Sequence, residues 1–175
     1  QETFGDLIML MSLIIILVFI VMVAQFESLT YPIVIMFSTP FAFVGVLLGL
    51  GVTGTPLGTM GMIGILILMG IVVKNGIVLI DYTILMRERG KSVAEASVIA
   101  AKSRLRPILM TTLTTVLGMI PMAIGQGEGS EMWRSLGMVV AWGLSISTLV
   151  TLVIIPTVYA SMASWQERRA ARKAA

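Results

Sequence analysis

Few residues in this chain are equipped for chemistry, and Lys74 stands out among them. It sits beside Asn75 in GIVVKNGIVLIDY (residues 70–82), inside a run from Leu57 to Ile80 whose only other polar side chain is Thr59. A lysine at the centre of such a run costs about 2.5–3.5 kcal/mol to place in a bilayer, so it needs water or a counter-charge. At a span end its stem could carry the ammonium to the interface, but from the centre the reach is poor. The nearest carboxylate is Asp81, seven residues on and two helical turns away on the same face. Its axial distance of about 10 Å is too long for a direct pair in a straight helix. Asp81 can act as a relay member or as an interfacial anchor. No other carboxylate falls within an apolar segment. The sequence therefore predicts that the counter-charge for Lys74 comes from outside these residues.

A second polar stripe follows. Arg104, Ile108, Thr111 and Thr115 are spaced four, three and four, which aligns them on one side of a helix. Hydroxyls in that position can bond across helices or to water, and beside a lysine-bearing helix they would make a proton or water path. The plainer alternative is that each threonine bonds back to the carbonyl one turn earlier.

Composition removes other chemistries. There is no histidine and no cysteine, so the usual zinc ligands, Ser–His and Cys–His pairs and disulfides are excluded. Serines and threonines abound, but no base is placed to activate them. No catalytic or metal site is expected. The fourteen methionines are scattered through apolar segments and read as packing filler rather than as soft-metal ligands.

The elements that must hold Lys74 and its companions are membrane spans. The chain has 175 residues, 57% hydrophobic and 12% charged, with a mean hydropathy of +1.00, which leaves too little polar surface for a soluble domain. Five apolar segments, at about residues 7–24, 33–52, 59–85, 107–125 and 135–161, are each consistent with the roughly 20 residues a spanning helix needs. They do not alternate as barrel strands do. Residues 1–6 and 166–175 flank this membrane domain, and residues 87–106 make its longest connection. Ser92 and Glu95 match a capping box and predict a short surface helix over about 93–103. Pro107 fits the first turn of the fourth spanning helix. Gly45 and Gly49 form a GxxxG pair that permits close helix approach. Trp133 and Trp165 are placed as belts at opposite interfaces.

Charge orients the spans. Six of the twelve basic residues lie between Arg87 and Arg106 and four between Arg168 and Lys173. This pattern is read as topology rather than as a nucleic-acid patch. By the positive-inside rule the 87–106 connection and the tail are cytoplasmic. The 125–134 connection, with Glu128 and Glu131, is then outside, and so is Gln1. An outside N-terminus without Met or a signal segment predicts that these residues are the C-terminal end of a longer protein, or a gene fragment.

Three blocks, QFESLTYPIVIMFSTPFAFVG, GIVVKNGIVLIDY and SRLRPILMTTLTTVLGMIPMAIGQGEGSE, resemble in order and spacing the C-terminal half of the resistance–nodulation–division efflux permeases. The hydrophobe/amphiphile (multidrug) branch is the better fit and the heavy-metal branch the second. The resemblance implies an all-α membrane protein in which these are the last five of twelve transmembrane helices. It also implies a homotrimer in the inner membrane that works with a periplasmic adaptor and an outer-membrane channel. Drug export would be driven by the proton motive force, with no cofactor. Motif position assigns Lys74, Arg104 and Thr111 to the proton relay, while Asn75, Asp81 and Thr115 are candidates for either the relay or the interface. The aspartate pair that the lysine would face belongs to a span in the N-terminal half. Without it and without periplasmic domains, these residues alone are not expected to transport. A non-transporting accessory or scaffold module is the alternative.

Overall fold

In lipid no water satisfies the backbone, so each spanning segment must close its own hydrogen bonds. The structure, a computed structural model, describes the backbone of residues 2–125, 127 and 129–174, and the side chains of 5–125, 127 and 129–165. The expectations for Glu128 and for the basic side chains of the tail lie outside the described residues. Those described form six helices and no strand: α1 (Glu2–Phe26), α2 (Thr30–Met36), α3 (Thr39–Thr53), α4 (Thr59–Glu88), α5 (Val93–Ile124) and α6 (Ser130–Ala174). Among the described residues, five stretches are long and apolar enough to cross a membrane: Gly5–Phe26, Thr30–Thr53, Thr59–Glu88, Val93–Ile124 and Ser130–Trp165. The chain is an all-α membrane protein.

The second of these stretches is two helices rather than one. Pro40 lies in the first turn of α3, where its missing N–H is harmless. Its ring would clash with the carbonyl of Met36 if the helix ran straight through. Ser38 bridges the break, donating from its amide at 3.0 Å and its hydroxyl at 2.7 Å to the Ile35 carbonyl. At its other end α3 stops at Gly54, whose φ of 62° is the left-handed cap glycine adopts without strain. The turn that follows is held down from α6. The Ser135 hydroxyl donates to the Pro56 carbonyl at 3.1 Å and accepts from the Gly58 amide at 3.4 Å.

The connection from α4 to α5 differs from the sequence expectation. The capping box forms: Ser92 Oγ accepts from the Glu95 amide and the Ser92 amide donates to Glu95 Oε2, both at 3.3 Å. Yet no separate surface helix ends near residue 103. Helix α5 runs unbroken from Val93 to Ile124, with Pro107 inside it and not in its first turn. Two causes favour continuity. The segment AEASVIAAKS is rich in alanine, the strongest helix former. Its buried face also carries Val93 and Ala100 into an apolar cluster with Leu79, Ile80, Ile155, Tyr159 and Ala163. Breaking the helix would cost that packing. Keeping it leaves only the Ser103 carbonyl without its usual donor.

Helix α6 is the hub against which α3, α4 and α5 pack. A Cβ added at Gly64 would meet Val139 at 3.1 Å, and one at Gly76 would meet Ile155 at 3.1 Å. Contacts that advance together along both helices mean that α4 and α6 run parallel, as two spans joined by an antiparallel third must. At Gly45 an added Cβ would lie 3.1 Å from Gly143 Cα and 3.2 Å from the Trp142 carbonyl oxygen, and at Gly49 it would overlap the Trp142 side chain. These two glycines let α3 and α6 approach backbone to backbone. Trp133 and Trp165, both half-exposed, are 32 positions apart on α6. At 1.5 Å per residue that is about 48 Å, close to the full thickness of a bilayer with its headgroups.

Candidate functional site

Side chains of helices α4 and α5 line a cleft of about 170 Å³. Lys74, Asn75 and Arg104 line it together with Thr111 and Thr115, and Ile71, Val78, Pro107 and Ile108 supply its apolar wall. Two separate sequence stripes thus meet at one place: the KN pair of α4 and the Arg–Ile–Thr–Thr row of α5. Helical spacing accounts for the row, because 104, 108, 111 and 115 share one side of α5. The hub α6 fixes the pairing by holding both helices.

Lys74 is exposed to the cleft and has no hydrogen-bond or ion-pair partner among the described residues. Asn75, its neighbour, is buried. Arg104 lays its guanidinium over the Tyr82 ring, 4.8 Å from the centroid. Its Nε is buried with no hydrogen-bond partner among the described residues. The threonines bond back along their own helix: Thr111 Oγ1 donates to the Pro107 carbonyl at 3.0 Å, and Thr115 Oγ1 donates to the Thr111 carbonyl at 2.9 Å. Back-bonding and a place in the cleft are therefore not alternatives. A hydroxyl whose proton is committed to a carbonyl still offers lone pairs, which suits it to accept from an ammonium or a water.

Asp81 does not join this group. It is exposed and absent from the cleft lining, although it does share a face with Lys74. The exposed residues of α4 beyond its first turn are Ile67, Gly70, Lys74, Asp81, Leu85 and Glu88. Their spacing marks one bare stripe along the whole helix.

Two polar features escaped the sequence reading. Tyr82 follows Lys74 and Val78 at four-residue intervals, a signal present in the sequence, but nothing there singled out an aromatic ring as the seat of Arg104. Thr112, next to the expected Thr111, shares a 3.0 Å hydrogen bond with Thr148 of α6, and both are buried. Only the α5–α6 packing reveals that pair.

The site holds two cations on adjacent helices, two threonine hydroxyls in the same lining, and no carboxylate. Such an arrangement attracts an anionic group. Residues 1–163 match the model of the AcrB/AcrD/AcrF family, and the chain belongs to that family, as the resistance–nodulation–division resemblance implied. Among curated relatives, the chain is 42% identical to the swarming motility protein SwrC of Bacillus subtilis (strain 168), over 96% of its own length and 16% of that protein. It is 38% identical to the multidrug resistance protein MdtC of Proteus mirabilis (strain HI4320), over 100% of its own length and 18% of that protein. Two crystal forms of a heavy metal efflux pump superpose with TM-scores of 0.80 and 0.77. They share 33% and 32% identity with the chain and cover 89% and 91% of it. The chain spans 16% and 15% of those pump chains.

Proposed function

We propose that this chain is the transmembrane part of a proton-driven efflux permease that exchanges drugs for protons, and that Lys74, Arg104 and Thr111 form the basic side of its proton relay. The observation that carries the reading is the cleft, in which two cations have no anionic partner among the described residues. A carboxylate pair on a helix outside these residues would complete it. While ionised, those carboxylates would hold Lys74 and Arg104 close. Protonation would weaken the hold and bias the helices toward a second arrangement. Thr111 and Thr115 would offer lone pairs to the ammonium or to a conducting water, and Asn75 would fix the α4 side of the site. Asp81, outside the cleft, would act at the interface. The protein is read as a transporter rather than an enzyme, powered by the proton motive force without a cofactor. It would be a homotrimer in the inner membrane, with its N-terminal side periplasmic and its C-terminus cytoplasmic, engaging a periplasmic adaptor and an outer-membrane channel.

The drug reading rests on the multidrug resemblance of the three sequence blocks and on the similarity to MdtC. Metal export is the second reading, favoured by the superposition on a heavy metal efflux pump. The decisive experiment is Lys74→Leu in the intact protein that carries these residues. Proton-coupled efflux should be abolished while trimer levels in the membrane stay unchanged. Retained efflux would overturn the relay reading, and a scaffold module would tolerate the change or gain stability from it. Exposing cells with the unaltered protein to amphiphilic dyes and, separately, to soft metal ions then decides the substrate class.

A further inference from the structure

A second cleft, of about 390 Å³, lies on α5 and is lined by Lys102, Leu105, Arg106, Leu109, Met110 and Leu113. We propose that it binds an anionic phospholipid, with the phosphate held by Lys102 and Arg106 and an acyl chain lying along the four apolar side chains. Because α5 does not break before Pro107, Lys102 and Arg106 stand one turn apart on the same helix face as Leu109 and Leu113. The two cations mark the basic end of the span, and the apolar residues continue from there toward its middle. Leu113 lies seven positions past Arg106, about 10 Å along the axis, which matches the upper part of an acyl chain.

Charge favours an anion at this end. Both basic side chains are exposed, and neither has an ion-pair partner among the described residues. The one carboxylate on the same face, Glu95, is two turns away and engaged by Ser92 in the capping box. Guanidinium binds phosphate oxygens in a two-toothed fork, and lysine adds a compact charge beside it. The apolar floor is bare: Leu105 is 44%, Leu109 40%, Met110 64% and Leu113 61% exposed. This face is also distinct from the relay site. Lys102 and Arg106 are each two residues from Arg104, about 200° around the helix at 3.6 residues per turn. A helix that completed the relay cleft would therefore sit on the other side of α5. Basic pockets at the cytoplasmic ends of spans are suited to lipid headgroups.

The test uses the intact protein, purified in mild detergent and offered phosphatidylglycerol or phosphatidylcholine with identical chains, with bound lipid counted by native mass spectrometry. Wild type should retain phosphatidylglycerol preferentially. The Lys102→Ala/Arg106→Ala double variant should lose roughly thirtyfold in apparent affinity for it, two surface cations' worth of attraction, with phosphatidylcholine unaffected. Lys102→Arg/Arg106→Lys should keep the preference. Equal retention of both lipids by wild type, or an undiminished preference in the double variant, would overturn the proposal. A benzophenone amino acid in place of Leu109 supplies a reading independent of the charge variants' folding. Photo-crosslinks to lipid support the site, and crosslinks to a protein segment mean that protein covers the groove and the proposal fails.

Discussion

Lys74 and Arg104 show how differently two cations can be kept on apolar helices. Arg104 spreads its charge over the face of Tyr82, an interaction of about 0.5–2 kcal/mol depending on how dry the pair is. Lys74 lines the cleft with no partner among the described residues. Tyr82→Leu should therefore release Arg104 and lower the thermal midpoint in detergent. Tyr82→Phe, which keeps the ring, should leave it within experimental error. If both variants melt alike, the ring is not what seats the guanidinium. The sequence made Lys74 legible because its cost in lipid follows from residue type and position alone. Tyr82 stayed hidden because an aromatic residue near a span end has an ordinary explanation, and its role depends on a residue 22 positions away on another helix.

At the scale of elements, small residues decide how closely helices meet. The Gly45 site faces backbone, with Gly143 Cα and the Trp142 carbonyl oxygen just beyond 3 Å, so nothing there can rotate aside. Gly51, on the same helix, has nothing within 4 Å of an added Cβ. Gly45→Ala should cost about 1–3 kcal/mol by overpacking. Gly51→Ala should stabilise by about 0.5–1 kcal/mol through helix propensity. Opposite shifts in a denaturant titration check this, and shifts of the same sign would mean that α3 and α6 do not meet as described. The GxxxG spacing was visible in the sequence, but its partner was not, since spacing names no opposing helix. Proline was the less reliable guide. Pro40 does interrupt a span, whereas Pro107 lies within α5. The two differ in their neighbours: the residues before Pro107 are strong helix formers with a buried face, so packing outweighs one lost hydrogen bond.

The whole molecule is defined by what it leaves uncovered. The stripe of α4 through Ile67, Gly70, Lys74 and Asp81 is bare along its length, and in the intact protein it should be covered by another helix. A benzophenone amino acid in place of Ile67 should then give crosslinked peptides that pair α4 with a segment outside these residues. Crosslinks to lipid alone would mean that the lysine faces the bilayer and that the relay has no partner there.

Apolar length, the absence of histidine and cysteine, and the isolated cation at Lys74 were determined by the sequence itself, because hydration cost and chemical repertoire belong to residue types. The five spans and the family blocks follow from the same linear information. Only the tertiary structure decided that Lys74 and Arg104 line one cleft, that Asp81 stands apart from it, that Thr112 rather than Thr111 bonds across to Thr148, and that α5 passes Pro107 without breaking. Each of these depends on which faces α6 gathers against itself, and that choice is made by packing between helices far apart in the chain.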